Sequence, residues 1–310
     1  MVAAHLRPTP VVPLELPGGV EVLAKLDSLQ PTGSFKLRGA LAALSALPSP
    51  GVRVVGASAG NHALALVEAA RRLGLRATVV VPRTGSAAKL AALRRLHADL
   101  VVHGDGYDQA ERHALELADA GGAYVSAYND PHVIAGQATW AAETAEGLPG
   151  GATLVVPVGG GGLLAGTLLW AADRPDVRVV GVEAAASRAL SAAVAAGRVV
   201  AVPVAPTLAD GLAGNLEAGS VTPALARGRV HAIVAVTEEE IERAIRFLAA
   251  SGLVVEGSGA VGVAALLAGR VPADGGTVAA LLTGRNIAAG TLARVLDRPD
   301  LDNATNPSRN

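Results

Sequence analysis

Short β-branched runs alternate with alanine-rich runs of helical spacing through most of this chain, and no other feature constrains its fold as strongly. From Val52 onward GVRVVGA, ATVVVP, DLVVHG and AYVSAY read as strands, separated by the helix-like NHALALVEAARRLG, SAAKLAALRRLHA and YDQAERHALELADAGG. A second series follows the helix-like HVIAGQATWAAETAEGL: the strands ATLVVP, VRVVGVEA, HAIVAVT and TVAALLT, with LLAGTLLWAA and EEEIERAIRFLAASG as helices. Continuous apolar strands separated by helices demand a parallel sheet covered on both faces. The pattern therefore predicts an α/β fold with two doubly wound, open parallel-sheet domains, a boundary near Asp130-Pro131 and a cleft between them. Thr237 and Glu240 have the spacing of a capping box. A length of 310 residues exceeds the usual single core and agrees with two domains.

Composition narrows the function. Hydrophobic residues make up 51% of the chain and aromatic ones 2%, so Ala, Val and Leu must fill the cores. A net charge of −1 without a basic cluster excludes the electrostatic footprint of a nucleic-acid binder. Cysteine is absent, which removes disulfides, thiolate nucleophiles and zinc–sulfur sites together. The opening MVAAHLRPTPVVPLELPGG carries prolines and a Glu where a signal peptide needs an unbroken apolar core, and no apolar stretch is long enough to span a bilayer. A cytoplasmic protein without membrane or nucleic-acid partners is expected.

In open α/β sheets ligands bind beyond the carboxyl ends of the strands. Before the first of these loops lies PTGSFKLRGA, holding one of only three lysines, Lys25, Lys36 and Lys89. An ammonium can be pushed to its neutral, nucleophilic form, whereas a guanidinium stays protonated. GASAGNHA at 56–63 joins a strand to a helix and suits an anion at the helix start, although an Asn-capped turn reads the same way. His62 alone reads as a packing or capping residue. PVGGGGLLAG offers a concave set of amides suited to phosphate. Gly160, Gly162 and Ala165, with Glu183 about 20 residues on, also fit a dinucleotide fingerprint, so this loop indicates phosphate without deciding the cofactor. VVEGSGAVG and LLTGRNIAAG add neutral groups at Thr283 and Asn286, which are equally ordinary turn chemistry. An amine, a phosphate cradle, an anion-binding turn and a neutral hydroxyl are together what a lysine Schiff base to pyridoxal phosphate uses. A nucleotide-dependent oxidoreductase remains the rival, and it leaves Lys36 and Thr283 unexplained.

These segments occur in a familiar order. RPTPVVPLE, LQPTGSFKLRGA, ASAGNHALAL, DPHVIAGQAT, VPVGGGGLLAG, TLADGLAG, VVEGSGA and TGRNI run nearly end to end, and with them the chain resembles the fold-type II (tryptophan synthase β-like) pyridoxal-phosphate enzymes. The branch is that of the serine/threonine dehydratases, or threonine ammonia-lyases, and serine racemase. The resemblance implies that Lys36 holds the cofactor and serves as catalytic base, that Phe35 packs near the ring, and that Asn61 bonds the phenolic oxygen. Gly159, Gly160, Gly161 and Gly162 are implied to cradle the phosphate, Thr283 to meet the pyridine nitrogen, and Ser58, Ala59, Gly60, Asn61 and His62 to grip the carboxylate of a small amino-acid substrate. A hydroxyl at the pyridine nitrogen leaves the ring a weaker electron sink than an Asp would, which favours expulsion of a β-group.

Racemisation needs a second acid, which in serine racemase looks like a Ser at the position of Ala59. The expected activity is therefore dehydration and deamination of L-threonine or L-serine to 2-oxobutyrate or pyruvate plus ammonia. A 3-hydroxyaspartate or other β-substituted amino-acid lyase, and a racemase, are the alternatives. VEAAASRAL keeps Glu183 but lacks the acid of metal-binding relatives, so no metal is expected. Arg285 replaces a glycine and is read either as a surface residue or as a reader of a second substrate carboxylate. The resemblance further implies a homodimer, no effector-binding domain, and a division into 1–48 with 132–310 as the large domain and 49–131 as a small mobile one.

Overall fold

The computed structural model describes residues 2–48, 51–83, 87–96, 98–145, 148, 151–272 and 276–298. The chain opens with β1 (Val11–Leu16), β2 (Val20–Lys25) and α1 (Lys36–Ser45). Next come β3 (Arg53–Ala57), α2 (Asn61–Leu73), β4 (Arg76–Val81), α3 (Ala87–Arg95), β5 (Asp99–Val102), α4 (Tyr107–Asp119) and β6 (Gly122–Tyr124). Helices α5 (Pro131–Gln137) and α6 (Thr139–Ala145) lead to β7 (Ala152–Pro157), α7 (Gly162–Ala171), β8 (Val177–Ala184), α8 (Ala189–Ala196), α9 (Thr222–Ala226) and β9 (Ala232–Val236). The described chain closes with α10 (Glu238–Ala250), α11 (Gly257–Leu267), β10 (Thr277–Leu281) and α12 (Ala289–Leu296).

Two sheets result, a six-stranded one in the order β1-β2-β10-β7-β8-β9 and a four-stranded one in the order β5-β4-β3-β6. Strand β7 is buried along its whole length, as a strand covered on both faces must be. The two faces of the larger sheet are closed by separate apolar clusters, one including Val180, Ile241 and Leu248 and the other Leu154, Leu164 and Leu190. Helix α10 presents Ile241, Ala244, Ile245 and Leu248 inward, and Thr237 with Glu240 forms the complete capping box at its start.

The larger sheet departs from the expected all-parallel pattern at one edge. β1 runs antiparallel to β2, with Val11 opposite Lys25 and Leu16 opposite Val20. Gly18 and Gly19, at φ 88° and 77°, make the reversal. The alternation that marks the rest of the fold begins only at β3, and Pro13 obscures β1. A proline costs a ladder hydrogen bond and so fits only an edge, where β1 lies. The long helix expected over 132–148 is two helices: Ala141 N bonds the Ala138 carbonyl three residues back, and Thr139 Oγ1 takes the carbonyl of Gly136.

Helix α1 joins the two halves. Its body packs through Leu37 and Leu41 on Leu66 of α2 and Val133 of α5. Its start is tied to the end of β10, where Phe35 N donates to the Thr283 carbonyl at 2.9 Å and Ser34 pairs with Gly284. Beneath it lies a buried charge network. Arg38, fully buried, donates to both oxygens of Asp27 at 2.7 and 2.8 Å and to Glu143 at 2.6 and 2.7 Å, while Lys25 Nζ donates to Glu143 at 2.7 Å and to the Thr9 carbonyl at 2.8 Å. Position 49, where the small domain is expected to begin, lies outside the described residues.

Candidate active site

A cavity of about 880 Å³ opens between the two sheets. The structure brings every residue singled out above for catalysis, cofactor or substrate to its wall: Phe35 and Lys36, the run Ser58 to His62, the run Gly159 to Gly162, and Thr283. Ser58, Gly159 and Thr283 lie just beyond the carboxyl ends of β3, β7 and β10.

Lys36 is the first residue of α1, and its Nζ donates to the Ala127 carbonyl at 2.8 Å. Burial lowers its pKa to about 8, against the opposing pull of the nearby Glu256 carboxylate. His62 is buried, with Nε2 2.9 Å from the Val125 carbonyl, and burial followed by the charge of Lys36 lowers its pKa to about 3. It is a neutral ring tied to the neighbouring strand, in line with its reading as a packing residue. In the 58–62 turn, Ser58 Oγ accepts from Gly60 N at 3.0 Å.

Asn61 is held from two sides. Its Nδ2 donates to Glu256 at 2.6 Å, and its Oδ1 accepts from Asn286 Nδ2 at 2.7 Å. Asn286 thus stands behind Asn61 and bonds the Thr32 carbonyl at 2.9 Å as well. Thr283 Oγ1 makes one long contact, 3.4 Å to the Ser258 carbonyl. Glu256, the N-cap residue of α11, received no role from the sequence although VVEGSGA was singled out.

The glycine run has causes within the chain. Gly161 has φ 86°, and a Cβ there would meet Thr222 Oγ1 at 2.8 Å. A Cβ on Gly162 would meet Tyr128 Cα at 2.8 Å, and one on Gly160 would strike the Tyr128 ring. The turn stays concave because Tyr128 lies against it. Among the described residues, no hydrogen bond engages the amides of Gly159 to Gly162, and those from Gly161 onward open α7, where amides have no intrahelical acceptor.

One part of the cavity wall, with the residues behind it, is acidic and phenolic, which sequence reasoning missed. Tyr107 and Tyr124 donate to Glu111 at 3.0 and 2.8 Å, and Ser126 Oγ donates to Glu217 at 3.2 Å. Tyr128 Oη accepts from Glu217 N at 2.6 Å. No regular spacing links these residues, which come from α4, β6 and two loops. Arg285 is exposed and absent from the cavity wall. Glu183 also lies away from it: buried, it accepts from the first-turn amides Leu190 N and Ser191 N of α8 at 2.9 and 3.2 Å. The dinucleotide reading needed that carboxylate at the ligand, and it is engaged as a helix cap instead.

The family described as pyridoxal-phosphate dependent enzyme matches residues 2–284. The chain belongs to this family. Among its relatives, the L-threonine ammonia-lyase of Thermotoga maritima is 41% identical over 289 residues, covering 92% of this chain and 71% of the relative. The catabolic L-threonine dehydratase of Escherichia coli is 36% identical over 256 residues, 81% of this chain and 78% of that one. Processed threonine deaminase isoform 2 from Solanum lycopersicum superposes with a TM-score of 0.82 at 33% identity, covering 92% of this chain and 88% of its own. Maize serine racemase gives 0.86 at 28% identity, with 94% and 92% covered. The pyridoxal-phosphate dependent fold of this family is thus present in both sheets. The residues present also fit the cofactor: a buried amine of lowered pKa, free amides at the start of α7 for a phosphate, and a neutral hydroxyl with only one long contact line one cavity.

Proposed function

We propose that this pyridoxal-phosphate dependent enzyme is an L-threonine/L-serine ammonia-lyase, forming 2-oxobutyrate or pyruvate and ammonia. The observation that carries this reading is the convergence of the Lys36 amine, the Gly159 to Gly162 amides and the Thr283 hydroxyl on one cavity. Relatives named L-threonine ammonia-lyase at 41% and 39% identity support it. When bound, pyridoxal phosphate supplies the electron sink for charge left at the substrate α-carbon.

The chain's own groups do the rest. Lys36 Nζ would hold the cofactor and, as a free neutral amine, would be the base that takes the substrate's α-proton. The Gly159 to Gly162 amides would hold the cofactor's phosphate and Phe35 would flank its ring. Asn61 would bond the cofactor's phenolic oxygen, while the Thr283 hydroxyl would meet its pyridine nitrogen without charging it. The turn from Ser58 to His62 holds the substrate carboxylate. Ala59 presents a methyl group and returns no proton to the α-carbon; the proton taken by Lys36 balances departure of the β-hydroxyl as water, and hydrolysis of the released imine then gives the oxo acid and ammonia.

The cavity wall favours an uncharged side chain over that of 3-hydroxyaspartate. Asp108, Glu111, Asp210, Glu217 and Glu256 line it against Lys36 and Arg112, and a second substrate carboxylate meets like charge there. The test is parallel incubation of the cofactor-loaded protein with L-threonine, L-serine, D-serine and threo-3-hydroxyaspartate. Oxo acid is expected from the first two. Turnover confined to hydroxyaspartate overturns the substrate assignment, and interconversion of serine enantiomers without oxo acid overturns the reaction.

We also infer a cytoplasmic homodimer in which 49–131 moves against the remainder to close on substrate. No described helix is long and apolar enough to cross a membrane. Exposed Val11, Val20 and Leu29 near the β1 edge supply apolar surface for a second copy. Light scattering and cell fractionation test the assembly and its compartment.

A further inference from the structure

Helix α5 places in the cavity wall a glutamine whose amide has nothing to bond. Gln137 is 1% exposed and lines the cavity together with Lys36. Neither its Oε1 nor its Nε2 has a hydrogen-bond partner among the described residues. A buried amide left with both ends unsatisfied is costly, and a native fold that retains one uses it.

The position of the amide is fixed by two bare backbones. A Cβ on Gly136 would meet the Arg38 carbonyl at 2.6 Å and Gly39 Cα at 2.8 Å, so α5 rests directly on α1. A Cβ on Gly39 would in turn strike the Gln137 amide, its Cδ at 2.9 Å. The amide therefore occupies the space above Gly39. Lys36 is three residues before Gly39, on the same face of α1. The amine already donates to the Ala127 carbonyl at 2.8 Å.

We propose that Gln137 is a positioning residue for the Lys36 amine: when that amine is free, the Ala127 carbonyl and Gln137 Oε1 accept its two N–H bonds and leave its lone pair aimed into the cavity. A neutral amine has two N–H donors and one lone pair, so two fixed acceptors orient the base. The two ends of a primary amide exchange by a half-turn, so Oε1 can be the end that meets the lysine. The inference rests on the reading of Lys36 as the functional lysine.

The test uses two variants in the cofactor-free protein, Gln137→Met, which keeps length and removes polarity, and Gln137→Glu. The pH dependence of Lys36 acylation by acetic anhydride, read by peptide mass mapping, reports the titration of that amine. Acceptors stabilise the ammonium more than the amine, so Met is expected to move the midpoint down and Glu to move it up. The melting temperature of the Met variant is expected to fall by no more than the loss of one hydrogen bond allows. After loading with cofactor, Met is expected to lower kcat about tenfold with little change in KM, the cost of a misaimed base.

An unmoved midpoint in the Met variant with a fallen melting temperature overturns the proposal in favour of packing. An unmoved midpoint with a raised KM overturns it in favour of substrate contact. Lys36→Ala is the separate control: if that variant still acquires the visible absorbance of bound cofactor, the reading of Lys36 itself has failed, whatever Gln137 does.

Discussion

Lys36 carries the most direct consequences of its surroundings. Only the neutral amine attacks a carbonyl, and burial places the folded-state pKa near 8 instead of 10.5. The rate of cofactor uptake by the cofactor-free protein is therefore expected to rise with pH and level off above about 8, which stopped-flow absorbance measures; a rise continuing past 10 contradicts the assignment. Lys36→Ala is expected to abolish both uptake and turnover, with a rate loss of at least about a hundredfold. Replacing Ala59 with Ser restores a hydroxyl beside the substrate turn, and chiral analysis of serine is expected to show racemisation gaining on elimination. Lys36 was legible in the sequence because a chain with three lysines sets one behind a Gly-Ser turn. Glu256 was not, because its part depends on the N-cap of α11 meeting Asn61 across 195 positions. Gln137 was equally hidden, since nothing in GQAT shows that its amide is left unpaired.

At the scale of elements, the βα alternation exposed nearly every parallel strand, because strands buried on both faces have no polar positions to blur the pattern. The β1–β2 hairpin escaped that logic, being a half-exposed edge interrupted by Pro13. Helix α8 escaped it too, and its start depends on a carboxylate seven residues away in β8, Glu183 with Leu190 N. Glu183→Ala is expected to cost about 1–2 kcal/mol of stability by calorimetry, as loss of a helix cap does, with KM for substrate unchanged. A large rise in KM instead would place that carboxylate at the ligand and revive the dinucleotide reading. The glycine turn before α7 was recognised for its phosphate chemistry, while its second cause, the Tyr128 ring lying on Gly160, became visible only in three dimensions.

For the molecule as a whole, α1 is the joint, with its first turn on the larger sheet and its body among the helices of the smaller one. Arg38 holds that joint through Asp27 and Glu143, so Arg38→Met leaves two buried or half-buried carboxylates facing one remaining cation, Lys25. The expected loss is about 3–5 kcal/mol by denaturant unfolding; a loss below about 1 kcal/mol contradicts the joint's importance. Residues 49–131 meet the remainder at the cavity through polar contacts that include Asn61 with Glu256 and Asn286, Ser126 and Tyr128 with Glu217, and Asn129 with Val221. Tyr107, Tyr124 and Tyr128 are all the tyrosines the chain contains, and they stand together around Glu111 and Glu217. Every phenol signal this protein emits or absorbs therefore originates in one acidic cluster, two of whose three rings, Tyr107 and Tyr128, line the cavity, which gives the enzyme a built-in optical reporter on that wall.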